Sequence, residues 1–144
     1  MNIAHVLALA TIWSVSDGAP TRPAAVREPA ATQEAMRNPQ RLRAVQLLDQ
    51  RAPGVAPRVR FEWDQVRGAM EYVLAGQWTT PTSWAVRSRE YRVTRRSATG
   101  WRSERVWFEV SLPVGAHSWR VIAIFGPNDA GDFEHPAQVS FELR

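Results

Sequence analysis

From Arg58 to the end of the chain, hydrophobic and polar residues alternate with a period of two. In RVRFEW, Val59, Phe61 and Trp63 fall on one side, and Arg58, Arg60 and Glu62 on the other. In MEYVLAG, Met70, Tyr72 and Leu74 share a face. VWFEVSL sets Val106, Phe108, Val110 and Leu112 against Trp107, Glu109 and Ser111. HSWRVIAIF gathers His117, Trp119, Val121, Ala123 and Phe125, and AQVSFEL gathers Val139, Phe141 and Leu143. Successive side chains of a strand point to opposite sides, so such alternation marks strands with one buried face. Turn formers separate the runs: DQVRGA, PVGA and the longer GPNDAGDFEHP. No Gly-rich strand-to-helix crossover intervenes. The expected fold is therefore an all-β antiparallel sandwich of about seven strands rather than a parallel α/β sheet.

Upstream of the alternation, NPQRLRAVQLLDQ supports two readings of residues 39–51. Asn38 can cap a helix with Pro39 at its first position, which places Leu42, Val45 and Leu48 on one face. Alternatively, Ala44–Leu48 is a first strand, and the alternation downstream favours it. Residues 17–41 are rich in Pro, Ala and charge, with three prolines within ten positions, and read as an extended or disordered linker. The apolar run Ile3–Val15 is too short to span a bilayer and has the length of a secretory h-region. Ser14 and Ser16 would precede a cleavage, although no Lys or Arg comes before the run. On that reading residues 1–16 are a signal peptide, and the domain is exported to the periplasm, cell envelope or extracellular space. On the other, the run is a hydrophobic start that packs on the domain or frays, and the protein is cytoplasmic. Residues 42–144 form the domain.

The chain has 144 residues and is 44% hydrophobic, with seven tryptophans and five phenylalanines, enough for one aromatic core. The absence of cysteine excludes a disulfide and a thiol nucleophile. The net charge is +4, and all 18 basic residues are arginine. Arginine forks onto carboxylates and phosphates and stacks on aromatic rings better than lysine does.

Two separated motifs resemble one family. VRFEWDQVRGAMEYVLAG resembles the B strand, turn and C strand of a fibronectin type III-like domain, with Trp63, Gly68-Ala69 and Tyr72 at the family's positions. LPVGAHSWRVIAIFG resembles its E–F corner and F strand, through Leu112, Pro113, Gly115 and the run Trp119 to Ala123. The resemblance covers about residues 42–144. It implies a fibronectin type III-like sandwich acting as a binding or spacer module, since the fold alone assigns no function. His117 stands where the family often has a corner tyrosine and can supply a similar bond to upstream backbone, but it titrates. Residues 77–105 are longer than the family's usual C-to-E segment, and the F–G loop has no RGD tripeptide.

The sequence holds no HExxH, G-x-S-x-G, P-loop or paired CxxC motif, and neither enzymatic activity nor a cofactor is expected. Asn128, Asp129, Asp132, Glu134 and His135 offer hard-cation ligands, but their spacing matches no defined calcium loop, and turn geometry accounts for them. The strongest binding candidate is residues 84–107, where seven arginines face two glutamates for a local charge of +5. Alternation puts Arg87, Arg89, Tyr91, Val93 and Arg95 on one side, a mixture suited to an outer surface. Arg92 and Arg96 add charge, and Trp101 and Trp107 would stand beside the set. Such a patch can grip a protein partner, or an anionic glycan or nucleic acid. The plainer reading is a polar β-hairpin whose arginines guard an edge strand, with RRSATG as its loop. Ile122 and Ile124 face away from the core set and, beside Trp107, would begin an apolar patch.

Overall fold

The computed structural model describes residues 37–47 and 54–144. The expectations for a signal peptide and for most of the linker lie outside the described residues. Among the described residues nine strands form: β1 Leu42–Leu47, β2 Arg58–Asp64, β3 Glu71–Thr80, β4 Ser83–Thr94, β5 Gly100–Trp101, β6 Arg105–Ser111, β7 Gly115–Gly126, β8 Asp129–Ala130 and β9 Ala137–Leu143. Among the described residues there is no helix, and so none long and apolar enough to cross a membrane. The strand reading of residues 42–47 holds over the helical one.

Two antiparallel sheets face each other. One has the order β1-β2-β6-β5. The other runs β4-β3-β7, with β9 beside the first part of β7 and the short β8 beside its end. The alternation read from the sequence fills the space between them. Val59, Phe61 and Trp63 of β2, Tyr72 and Leu74 of β3, and Trp119, Val121 and Ala123 of β7 are buried together. Rings from opposite sheets meet: Phe61 and Trp119 at 5.0 Å, Trp63 and Tyr72 at 5.4 Å, Tyr91 and Phe108 at 5.3 Å. Offset and edge contacts at these separations suit the aromatic quadrupole. Gly76 leaves room for the Trp119 indole, which would overlap any Cβ placed there.

Met70 departs from the expected inward face and is 65% exposed. β3 begins only at Glu71, so Met70 belongs to the preceding connection, where strand alternation does not apply. Gly68 makes that connection, with φ of +83°, a conformation that costs glycine little. The Tyr72 hydroxyl accepts the Val66 N–H at 2.7 Å and ties the turn to the core.

Arg37–Arg41, placed in the linker by composition, belong to the packed structure at least in part, because Asn38 is buried. Its Nδ2 donates to the Asp132 carbonyl at 2.5 Å, and its Oδ1 accepts the Ala123 N–H at 3.4 Å. Ala123 lies on β7 between the end of the β9 ladder at Val121 and the start of the β8 ladder at Ile124. A side chain thus fills a gap in the backbone hydrogen bonding, and a buried N–H that would cost free energy is satisfied.

Candidate functional site

The arginine-rich stretch does not form one surface. β4 pairs with β3 in one sheet, whereas β5 and β6 belong to the other, so residues 95–99 carry the chain between sheets rather than close a hairpin. Ser97 fastens the crossing: its hydroxyl accepts the Thr94 N–H at 2.9 Å and donates to the Arg92 carbonyl at 3.1 Å. Thr99 then accepts the Glu109 N–H at 2.9 Å.

Tyr91 and Val93 were expected on an outer face and instead point between the sheets. Val93 is fully buried, and Tyr91 packs on Phe108 and on Trp119. The parity assigned to β4 was right, but its direction was inverted. Arg87 and Arg89 share that parity and stay in solvent because β4 runs past the facing sheet, with every residue from Trp84 to Glu90 exposed. Arg89 donates to the Tyr91 hydroxyl at 3.2 Å. Arg95 lies 5.2 Å from the centre of the Trp101 ring, and Trp101 packs internally against Tyr72 at 5.2 Å. Arg96 sits exposed in the crossing.

Trp107 faces outward as expected, but from the other sheet. It lies over Gly100, with Arg102 5.5 Å from its ring. Ile122 and Ile124 therefore form no patch with Trp107. Ile122 is only 2% exposed, covered within the chain itself.

Arg92, by contrast, is on the outer face of the β4-β3-β7 sheet and bonds Glu71 at 3.0 Å. There it borders an open groove of about 930 Å³ that the sequence did not reveal. Met70, Ile124, Pro127 and Phe133 give the groove its apolar lining, while Glu71, Arg92 and Thr94 supply polar groups. Phe133 is 61% exposed. An apolar ring among Asp, Gly and Glu in the long loop was the one available signal, overshadowed by the reading of that loop as turn formers. Arg37 borders the same region, paired with Asp129 at 2.6 Å and 4.3 Å from the Phe125 ring.

Asp132, Glu134 and His135 bring their ligand atoms within 4.8 Å of one another. Their bonds are those of a turn: the Asp132 carboxylate accepts the Glu134 N–H at 2.7 Å and meets His135 Nδ1 at 2.5 Å. The mutual contact raises the His135 pKa and lowers that of Asp132.

His117 is buried near the start of β7, just after the β6–β7 turn. Its Nε2 lies 2.8 Å from the Pro113 carbonyl, and its Nδ1 3.3 Å from Trp119 Nε1. An indole N–H only donates, so Nδ1 accepts and Nε2 carries the proton that reaches Pro113. This is the neutral ring making a bond to upstream backbone. Burial lowers its pKa.

No family model, curated protein or solved structure matches this chain.

Proposed function

We propose that this chain is a fibronectin type III-like interaction module without enzymatic activity, and that a protein partner docks in the groove beside Arg92. The groove carries the reading. It sets exposed Met70 and Phe133 beside an ion pair whose arginine is largely in solvent. Protein interfaces have such a make-up, an apolar centre with a polar rim in which arginine is enriched. The groove fits a segment bearing an apolar side chain next to a carboxylate, which competes with Glu71 for the Arg92 fork.

The strand order supports the class. With the two-residue strands set aside, the first, second and fifth long strands form one sheet and the fourth, third, sixth and seventh the other, a Greek-key division between two sheets. The corner bond from His117 to Pro113 adds to it. Scattering of the arginines over two sheets and their crossing makes a polyanion grip the weaker reading. Export belongs to the same proposal, and N-terminal sequencing of the mature protein decides whether residues 1–16 are removed.

A photo-crosslinking residue at Phe133 tests the docking. It is expected to give one discrete protein adduct in the native host, lost on Arg92→Ala, whereas the same probe at Arg43 on the opposite sheet gives none. Absence of an adduct at Phe133, or equal adducts at both positions, overturns the groove.

A further inference from the structure

The end of the sandwich away from that groove carries a different kind of surface. The register brings three connections together there. Arg58 opposes Ser111, and Leu112 donates to the Pro57 carbonyl at 2.9 Å, so the approach to β2 lies against the β6–β7 turn. Ala116 opposes Thr79, and Thr80 opposes Ser83, so the same turn adjoins the β3–β4 hairpin. Of the seven exposed large hydrophobic residues among those described, four sit at this end: Val55, Trp84, Val86 and Val114. Trp84 is 98% exposed.

Cations follow further along β4, on the face opposite to that of Trp84 and Val86. Residues 77–89 include Arg87 and Arg89 and no acid. At ~3.3 Å per residue, Arg87 lies about 10 Å along the strand from Trp84, and Arg89 about 17 Å. The headgroup layer of a bilayer is roughly 5–8 Å deep, and a charge acts over about 8 Å at physiological salt. A tryptophan seated at the acyl boundary would therefore hold Arg87 near the anionic headgroups, with Arg89 at the screened margin of their field. Tryptophan prefers that boundary because its ring is apolar and its N–H is polar. Val55 and Val114 project from proline-containing connections and Val86 from the first part of β4, so the apolar groups are separate projections. A fluid surface needs no shape complement, whereas a specific protein partner does.

We propose that this end of the domain docks on an anionic lipid surface, with Trp84 and its neighbouring valines entering the interface, Arg87 meeting lipid phosphates or carboxylates and Arg89 at the margin of their field. The contact is peripheral and independent of the groove.

Vesicle co-sedimentation of the full chain tests it. Vesicles of phosphatidylcholine with about 30 mol% phosphatidylserine are compared with phosphatidylcholine alone. Binding is expected on the anionic vesicles only and is expected to weaken with salt. Trp84→Ala is expected to lower partitioning about tenfold, Arg87→Gln about fivefold, and Arg89→Gln by less. Val45→Ser, exposed on the other sheet, is expected to leave it unchanged. Brominated lipid is expected to quench fluorescence in the parent and not in Trp84→Ala. Trp84 is in solvent, so its loss leaves folding intact, which a thermal melt checks. No binding to anionic vesicles, equal binding to neutral ones, or unchanged binding of Trp84→Ala overturns the proposal. The crosslink at Phe133 is read without vesicles, so either idea can fail alone.

Discussion

The side chain of Asn38 holds the carbonyl of Asp132 at 2.5 Å across 94 residues of sequence. The same amide accepts the Ala123 N–H and is overlaid by Gly131, where a Cβ would collide with it. A buried side chain with bonds in two directions leaves orphaned partners when removed. Asn38→Ala is expected to destabilise the domain by about 2–3 kcal/mol, and Asn38→Asp by more, because a carboxylate cannot donate to Asp132. Urea unfolding of the three proteins checks the order.

Trp63 fills the centre of the core, and its indole N–H has no partner. Trp63→Ala is expected to cost roughly 3–5 kcal/mol, the usual loss for a large buried ring. Trp63→Phe should cost clearly less, since it keeps much of the volume and removes an unsatisfied donor. A phenylalanine variant as unstable as the alanine one would contradict this account of the site.

Much of this was legible in advance. Period-two alternation identified β2, β6, β7 and β9 and the buried face of each, because those strands each have one face against the other sheet. It inverted β4, where the mixture of Arg87, Arg89, Tyr91 and Val93 resembles a solvent face. The cause is that β4 overruns the facing sheet, so one side of the strand is core at one end and solvent at the other. It missed the groove at Met70 and Phe133, which depends on how three connections meet in space. Asn38 was misread as part of a linker for a similar reason, since its partners lie far downstream.

His117 predicts an acid-side weakness. Its folded pKa is lowered by burial, while the unfolded value is about 6.5. Between the two the unfolded chain binds more protons, so stability rises with pH. The contribution is complete above about pH 6.5 and is lost as pH falls toward the folded value. His135 acts in the opposite sense, because its pKa is raised, but it is exposed and screened. In a His135→Asn background, unfolding measured at about pH 7.5 and pH 5 should show the loss, and a further His117→Gln change should remove most of it.

Two glycines separate the core from the surface. A Cβ at Gly76 would overlap Trp119 in the core, and one at Gly100 would overlap Trp107 on the outer sheet face. Gly76→Ala is expected to cost about 3 kcal/mol or more. Gly100→Ala should cost about 1 kcal/mol, because the Trp107 ring can swing into solvent. Comparable losses in the two melts would show that Trp107 is held as tightly as Trp119.

The distribution of the arginines predicts a diffuse response to heparin. Arg92, Arg96 and Arg102 lie on one sheet, on the crossing and in the β5–β6 turn of the other sheet. Single alanine substitutions at the three should lower the eluting salt by similar small steps. One dominant position would restore the polyanion reading.

The bonds of Asn38 also set an order in time. A chain emerging from the ribosome releases Asn38 long before Ala123, Asp132 and His135, to which it is tied. β7, which takes β3 on one side and β9 on the other, likewise waits for β9. The β7–β9 ladder and the anchoring of Asn38 therefore form only after residues 123–143 have been made. Asn38 stays unsecured until its partners as far as His135 are free, and its docking is a late, long-range event of the kind that folds slowly.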